Sequence, residues 1–290
     1  MGTQRLGHLL INKSLRLRER FGFRRLHVPR SFDLDDLVTL NRCFTPVLLP
    51  EYGLAARRQR ARSRLARLRR FIDLRETHLL DVGVGQGEMV WAASEQTSQA
   101  VGIDLDRRGL CDSIEEGKQW AVSRPMPSFA QADASRLPLE DRTVDIVVSY
   151  WSFEHFANYR QALSEMARVL RPGGYVYLEF GPLFYSSLGS HLYRFLYIPW
   201  VHLLFEPEVM FAYLRQIHQE AWIDVYLELN RLTISDFRRL TAESSMYLRD
   251  MNCRREPLGR FKQLYHSHLA PYPNEDLQTT QVTCVLQKPT

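Results

Sequence analysis

Residues 79–90 read Leu-Leu-Asp-Val-Gly-Val-Gly-Gln-Gly-Glu-Met-Val. An apolar run ends at Asp81, glycines follow at the alternate positions Gly83, Gly85 and Gly87, and an apolar helical start comes directly after them. Glycine takes positive φ without steric cost and lets backbone approach a ligand closely, so a strand-to-helix turn built this way suits an adenine-nucleotide-like molecule. Glycine turns also serve tight packing, and the turn alone does not name a ligand.

Spacing narrows the choice. A dinucleotide fingerprint needs G-x-G-x-x-G, and counting from Gly83 the final position falls on Glu88. The phosphate-binding loop fails too, because the chain has no Gly-Lys-Ser or Gly-Lys-Thr. Beyond the turn, short apolar strands succeed one another and end in acids. Residues 100–104 close on Asp104, a carboxylate able to accept from both ribose hydroxyls. Residues 131–134 end a third strand, where Asp133 could accept from an exocyclic adenine amine. Residues 144–149 and 175–180 read as strands four and five, and between them Arg171-Pro172-Gly173-Gly174 closes a helix over 161–170. Each acid could singly cap a turn or helix, but three of them at successive strand ends lie where open α/β sheets bind ligands.

Over residues 76–182 this order and spacing resembles the class I S-adenosylmethionine-dependent methyltransferases, in the branch of quinone-pathway and general small-molecule enzymes. The resemblance implies a Rossmann-like, seven-stranded, mostly parallel sheet with helices on both faces and an antiparallel last strand. It implies S-adenosyl-L-methionine as cofactor. Asp81, Gly83, Gly85 and Gly87 match the loop around its methionine part. Asp104 matches the ribose acid with Leu105 beside the adenine, Asp133 and Ala134 match the adenine edge, and Ser149, Tyr150 and Trp151 match the segment facing cofactor and acceptor. Gln86 departs from the small or hydroxyl residues common at its position.

The rest of the chain is less generic. Residues 1–75 are expected as an N-terminal helical extension and 76–290 as the methyltransferase domain, with a helical cap inserted after strand five at about 182–230. Ser31 is a plausible N-cap for a helix entering Leu34 and Leu37. The cap carries Tyr185, His191, Tyr193, Tyr197, Trp200, His202 and Phe205, then a helical pattern over 208–228. Thr233 or Ser235 can cap a short helix through Leu240, and residues 281–286 supply the last strand. Long insertions in compact domains are usually functional, and this one suits a substrate lid, although more than half of its aromatics are expected to fill a helical subcore.

Residues 57–70 hold Arg57, Arg58, Arg60, Arg62, Arg64, Arg67, Arg69 and Arg70, with Leu65, Leu68 and Ile72 on one side of an amphipathic helix. Such a face can draw nucleic acid, an anionic membrane or an acidic carrier protein. The preferred reading is a solvated face, because no aromatics interleave to stack bases. The net charge of +5 is modest for 290 residues. Four dispersed cysteines argue against a zinc site or disulfide scaffold and for a reducing compartment. With no signal-like segment, and only a short apolar run at 195–205, no membrane span is expected and the cytoplasm is the expected location.

Methyl transfer from a sulfonium needs alignment and exclusion of water, and an oxygen or carbon acid acceptor also needs a base. His155, His191 and His202 are the candidates for base or acceptor positioning, with Glu154 and Glu206 as carboxylate alternatives; no metal is expected. The segment Ser149-Tyr150-Trp151-Ser152 stands where amino-group methyltransferases of bases and glutamine carry an Asn-Pro-Pro-Tyr type motif. The acceptor is therefore expected to be a small aromatic or hydrophobic molecule. The alternative is RNA or a protein-bound substrate recruited by the arginine-rich helix.

Overall fold

Apolar runs bounded by turn residues become strands, and the 3.6-residue patterns between them become helices, in a computed structural model that describes residues 33–46, 53–118, 126–259 and 261–290. In chain order these are α1 (Leu34–Arg42), α2 (Leu54–Leu68), β1 (His78–Val82), α3 (Glu88–Ser94), β2 (Gln99–Asp104), α4 (Arg107–Gly117), β3 (Ser128–Gln131) and β4 (Val144–Tyr150). A 3₁₀ turn at Phe153–His155 precedes α5 (Tyr159–Val169) and β5 (Leu170–Phe180). Then come α6 (Val201–Leu204), α7 (Pro207–Gln216), α8 (Trp222–Leu227), α9 (Ile234–Glu243), β6 (Tyr247–Arg255), three helical segments of four or five residues, and β7 (Thr279–Gln287).

The strands form one seven-stranded sheet in the order β3-β2-β1-β4-β5-β7-β6. β1 pairs in parallel with β2 and β4, β3 with β2 and β5 with β4, while β7 runs antiparallel to β5. The order reverses direction at β1 and β4, the switch point where ligands of open α/β sheets bind outside the carboxyl ends. This is the Rossmann-like methyltransferase sheet expected from the sequence.

By its internal contacts the chain divides into two units, neither contiguous in sequence. One comprises residues 52–181, 232–254 and 281–290 and holds the sheet; the other comprises residues 1–51, 182–231 and 255–280. α2 falls in the sheet unit and α1 in the other.

In the sheet unit, Leu79, Ile146, Val148 and Tyr177 join Leu65 and Leu68 of α2 and Met89 and Val90 of α3 in one buried cluster. In the second unit a separate core gathers Leu37 and Leu40 of α1 with Leu196, Trp200, Met210, Leu214 and Tyr265. Asn41, buried at the end of α1, fastens that core: its Nδ2 donates to Phe195 O at 2.8 Å and its Oδ1 accepts from Tyr197 N–H at 2.6 Å.

Several local expectations are corrected. Ser31 lies outside the described residues, and the cap of α1 is Asp33, which closes a capping box with Asp36. The single helix expected over 208–228 is two, α7 and α8, broken where His218 takes φ 55°. Arg171-Pro172-Gly173-Gly174 does not end the helix before strand five but lies inside β5, as an irregularity between the pairings Val144–Leu170 and Ile146–Tyr175. Thr233 caps α9 as expected, its side chain accepting from Asp236 N–H.

Candidate functional site

The glycine turn is built as its sequence requires. Gly83, Gly85 and Gly87 have φ of 80°, 52° and 77°, all in the left-handed region that side chains disfavour. Gly83 and Gly85 differ in what surrounds them. A Cβ on Gly83 would meet Ser152 Cβ at 2.4 Å, whereas one on Gly85 would meet nothing within 4 Å. The turn is pinned from both sides. Ser152 Oγ donates to Gly83 O at 2.9 Å and Ser113 Oγ donates to Gly85 O at 2.6 Å.

Asp104 ends β2 with its carboxylate fixed in place: Oδ2 accepts from Gly85 N–H and Oδ1 from Asp106 N–H, both at 3.0 Å. Each oxygen keeps a lone pair for a further donor. Leu105 beside it is exposed, as is Trp151 after β4, an unusual pair of large apolar side chains facing solvent just past the carboxyl ends of β2 and β4. Asp133 and Ala134 lie just past β3, which ends at Gln131, rather than at the strand end itself. There Asp133 Oδ1 accepts from Ser135 N–H at 2.7 Å, and Ala132 N–H donates to Asp104 O at 3.0 Å.

Asp81, in β1, is 2% exposed and its Oδ1 has no hydrogen-bond partner among the described residues. Burial pushes its pKa well above the ordinary carboxyl value, a rise reinforced by Glu88 and Asp104 and opposed by the charge of Arg64. Ser149 Oγ and Tyr150 Oη, at the end of β4, are likewise buried without partners among the described residues. A buried polar atom left unmatched costs about 1–3 kcal/mol, and three of them lie on the neighbouring strands β1 and β4.

The arginine-rich segment is solvated on one side only: Arg62, Arg67, Arg69 and Arg70 are exposed, whereas Arg64 turns inward. Arg64 is 4% exposed, donates from Nη2 and Nε to Glu179 Oε1 at 3.0 and 3.3 Å, and lies 4.3 Å over the Tyr150 ring. Arg67 Nη1 donates to the other oxygen of Glu179 at 3.1 Å. Arg60 pairs with Glu88, Arg57 with Glu116 and Gln86, Arg62 with Glu95, and Arg69 with Gln96. Arg57, Arg60, Arg62, Arg64, Arg67 and Arg69 thus find partners within the sheet unit itself. The sequence held one signal for this: Glu179 sits inside the apolar run of β5, and a buried carboxylate needs a cation.

The three candidate histidines fall in different settings. His155 belongs to the sheet unit, where it ends the 3₁₀ turn; the next helix, α5, begins at Tyr159 under an Asn158 cap. Burial lowers its pKa below the ordinary histidine value. His191 and His202 belong to the second unit. His191 Nε2 bonds Pro182 O at 2.8 Å, and His202 Nε2 bonds Phe184 O. Burial holds the His202 pKa down to about 3, so it is neutral at ordinary pH. Glu154, beside His155, is 4% exposed; its Oε1 accepts from Gly181 N–H at 3.1 Å, Oε2 has no partner among the described residues, and burial raises its pKa to about 8.

With this geometry in place, comparison with known proteins is direct. Residues 80–178 match a protein family described as "Methyltransferase domain". Demethylmenaquinone methyltransferase of Deinococcus radiodurans is 37% identical over 108 residues, 36% of this chain and 43% of that one. The enzyme of the same name from Thermus thermophilus is 33% identical over 140 residues, 47% of this chain and 63% of that one. The chain thus spans roughly half the length of these relatives. Among solved structures, the YcgJ protein of Bacillus subtilis superposes with a TM-score of 0.51 at 17% identity, covering 80% of this chain and 99% of that one. A putative methyltransferase from Bacillus halodurans gives 0.51 at 17%, covering 79% and 98%. The likeness in structure is one of fold. Over residues 80–178 the chain carries a methyltransferase domain, on a Rossmann-like fold shared with these structures.

No described helix is long and apolar enough to cross a membrane.

Proposed function

We propose that the chain is an enzyme that transfers the methyl group of S-adenosylmethionine to a small aromatic or hydrophobic molecule, at oxygen or carbon. The observation that carries the cofactor is the pairing of Gly85 and Asp104: an open, left-handed glycine whose own N–H holds the acid at the next strand end. That arrangement leaves backbone close to a ligand and a carboxylate ready for two hydroxyl donors. Asp81, with its unmatched Oδ1, suits the cationic amino group of the cofactor, and Leu105 and Trp151 supply apolar cover.

When bound, the cofactor supplies an already activated methyl group on a sulfonium. The protein's share is alignment and dryness. Asp104 fixes the ribose end, the glycine turn fixes the middle, and Ser149, Tyr150 and Trp151 line the acceptor side. Among proton acceptors, Glu154 and His155 belong to the same unit as this site. Glu154 is protonated at neutral pH and so donates before it accepts. The small-molecule reading draws on the demethylmenaquinone methyltransferase relatives and on the pairing of Arg57, Arg60, Arg62, Arg64, Arg67 and Arg69 within the sheet unit.

Calorimetric titration with S-adenosylhomocysteine tests the cofactor. Transfer of labelled methyl from S-adenosylmethionine to a panel of phenols, hydroquinones and carbon acids, with RNA as comparison, tests the acceptor. Labelling of RNA alone would overturn the small-molecule reading.

A further inference from the structure

The sheet unit holds a groove away from the glycine turn. It encloses about 580 Å³ between α5, the end of α9 and the tail after β7, within the roughly 300–1,000 Å³ usual for small-molecule sites. One face of α5 lines it, with Arg160, Leu163, Ser164, Ala167 and Arg168 at i, i+3, i+4, i+7 and i+8. Leu240 and Met246 line the other wall, and Lys288 one end. Lys288 follows Gln287, which pairs with Tyr175 near the start of β5. That end therefore lies at the amino end of β5, opposite the carboxyl ends where the glycine turn stands.

The charges of the groove do not balance. Arg168 is neutralised by Glu165 and Asp141. Lys288 Nζ donates to Ala167 O at 2.7 Å and Leu170 O at 2.8 Å, both neutral carbonyls, and pairs with no carboxylate among the described residues. At the other end Glu243, the one carboxylate of the lining, serves both Arg160 at 2.9 Å and Arg239 at 3.9 Å. The excess is positive at both ends. Between them Leu163, Ala167, Leu240 and Met246 are apolar, while the Ser164 and Ser245 hydroxyls have no partner among the described residues.

We propose that this groove binds a small amphiphilic carboxylate, an apolar body carrying one anionic group. A wholly apolar ligand would strip water from Lys288 without supplying a counter-ion, which is costly. A cation would add to the existing excess. A carboxylate answers the positive charge and accepts from the serine hydroxyls, and its apolar body covers Leu163, Ala167, Leu240 and Met246. The stripe from Arg160 to Arg168 is about 12 Å long at 1.5 Å per residue, room for a medium alkyl chain or an aromatic ring. Arg160 and Glu243 are both exposed, and such ion pairs are weak, so Arg160 turns to a ligand at little cost. This site is separate from the methyl-transfer site and does not depend on the function proposed above.

Titration calorimetry on the full chain uses octanoate as the probe, with acetate and octylammonium as comparisons. Octanoate is expected to bind more tightly than either by about 10-fold or more. Ser164→Trp places a large ring in the groove from an exposed helix position. It is expected to keep the melting temperature and to weaken octanoate by about 10-fold or more. Arg160→Glu reverses the charge at one end without touching the core. It is expected to move the preference from octanoate towards octylammonium, and it carries the test alone should Ser164→Trp fail to fold. Absence of octanoate binding overturns the proposal. Binding of acetate as tight as that of octanoate removes the apolar body, and equal binding of octanoate and octylammonium removes the charge. Native octanoate affinity in both variants would put the ligand elsewhere on the chain.

Discussion

Arg64 and Glu179 lie 115 residues apart and meet as a buried ion pair, Nη2 to Oε1 at 3.0 Å with each side chain 4% exposed. The pair joins a helix that precedes the sheet to the strand that ends its parallel part. Removing one partner of a buried pair strands the other charge, which costs about 3–5 kcal/mol. Arg67 still reaches Glu179 Oε2, so Arg64→Met is expected to cost near the lower end, about 3 kcal/mol. The double variant Arg64→Met/Glu179→Leu should recover most of that loss. Urea denaturation of the two singles and the double gives the coupling; additive losses would show that the pair contributes nothing of its own.

Asp104→Ala should cost binding rather than folding. Its carboxylate accepts from two backbone N–H groups at the site's margin, Gly85 and Asp106, which water can serve in its absence. Losing bonds to two ligand hydroxyls is worth roughly 100-fold or more in affinity at about 1.5 kcal/mol each. S-adenosylhomocysteine titration and thermal unfolding together check this. Unchanged affinity with an unchanged melting temperature would remove Asp104 from the site.

The sequence made the sheet legible wherever burial wrote an apolar run. β1, β2, β4 and β5 have cores such as Leu79-Leu80 and Val147-Val148, buried on both faces, and the glycines between β1 and α3 adopt the left-handed backbone that only glycine takes without strain. β6 was not legible. Tyr247, Leu248, Arg249 and Asp250 are all exposed on an edge strand, so no alternation distinguishes it from a loop. The role of α2 was not legible either, because Glu88, Glu116 and Glu179 are its partners only through the fold. Composition suggests that arginine faces water; pairing at a distance of 28 or 115 residues leaves no local trace. The division into units escaped for the same reason: Asn41 binds Phe195 O across 154 residues.

Within the glycine turn two substitutions should separate folding from binding. Gly83→Ala meets Ser152 Cβ at 2.4 Å and a left-handed φ of 80°, so it should destabilise by several kcal/mol. Gly85→Ala meets only the φ penalty, about 1–2 kcal/mol, because nothing lies within 4 Å. Its methyl group would project into the space assigned to the cofactor. The chain should stay folded and lose S-adenosylhomocysteine. Retained binding by Gly85→Ala would place the ligand elsewhere.

His202 makes the second unit sensitive to acid. Its pKa in the folded chain is about 3, below the ordinary 6.5, because burial disfavours the cation. Unfolded chains therefore bind a proton that the native state refuses. Stability is complete above pH 6.5 and falls as pH drops through the window from 6.5 towards 3, by about 1.4 kcal/mol per unit. His202→Leu should lose the bond to Phe184 O yet show a flatter slope across that window in urea titrations at stepped pH.

Glu154 acts in the opposite direction. Burial raises its pKa from 4.5 to about 8, so the native chain keeps a proton that the unfolded chain has released. This carboxyl leaves stability untouched below pH 4.5 and subtracts from it as pH rises towards 8, again by about 1.4 kcal/mol per unit of that interval. Glu154→Gln keeps an amide oxygen for the Gly181 N–H and has no proton to lose. It should match the native chain near pH 5 and exceed it at pH 8 by a few kcal/mol, read as a gain in urea midpoint that grows with pH. If the variant is instead equally stable at both pH values, the carboxyl is ionised in the folded chain. Its unmatched Oε2 would then require a cation or donor that a neutral glutamine cannot replace.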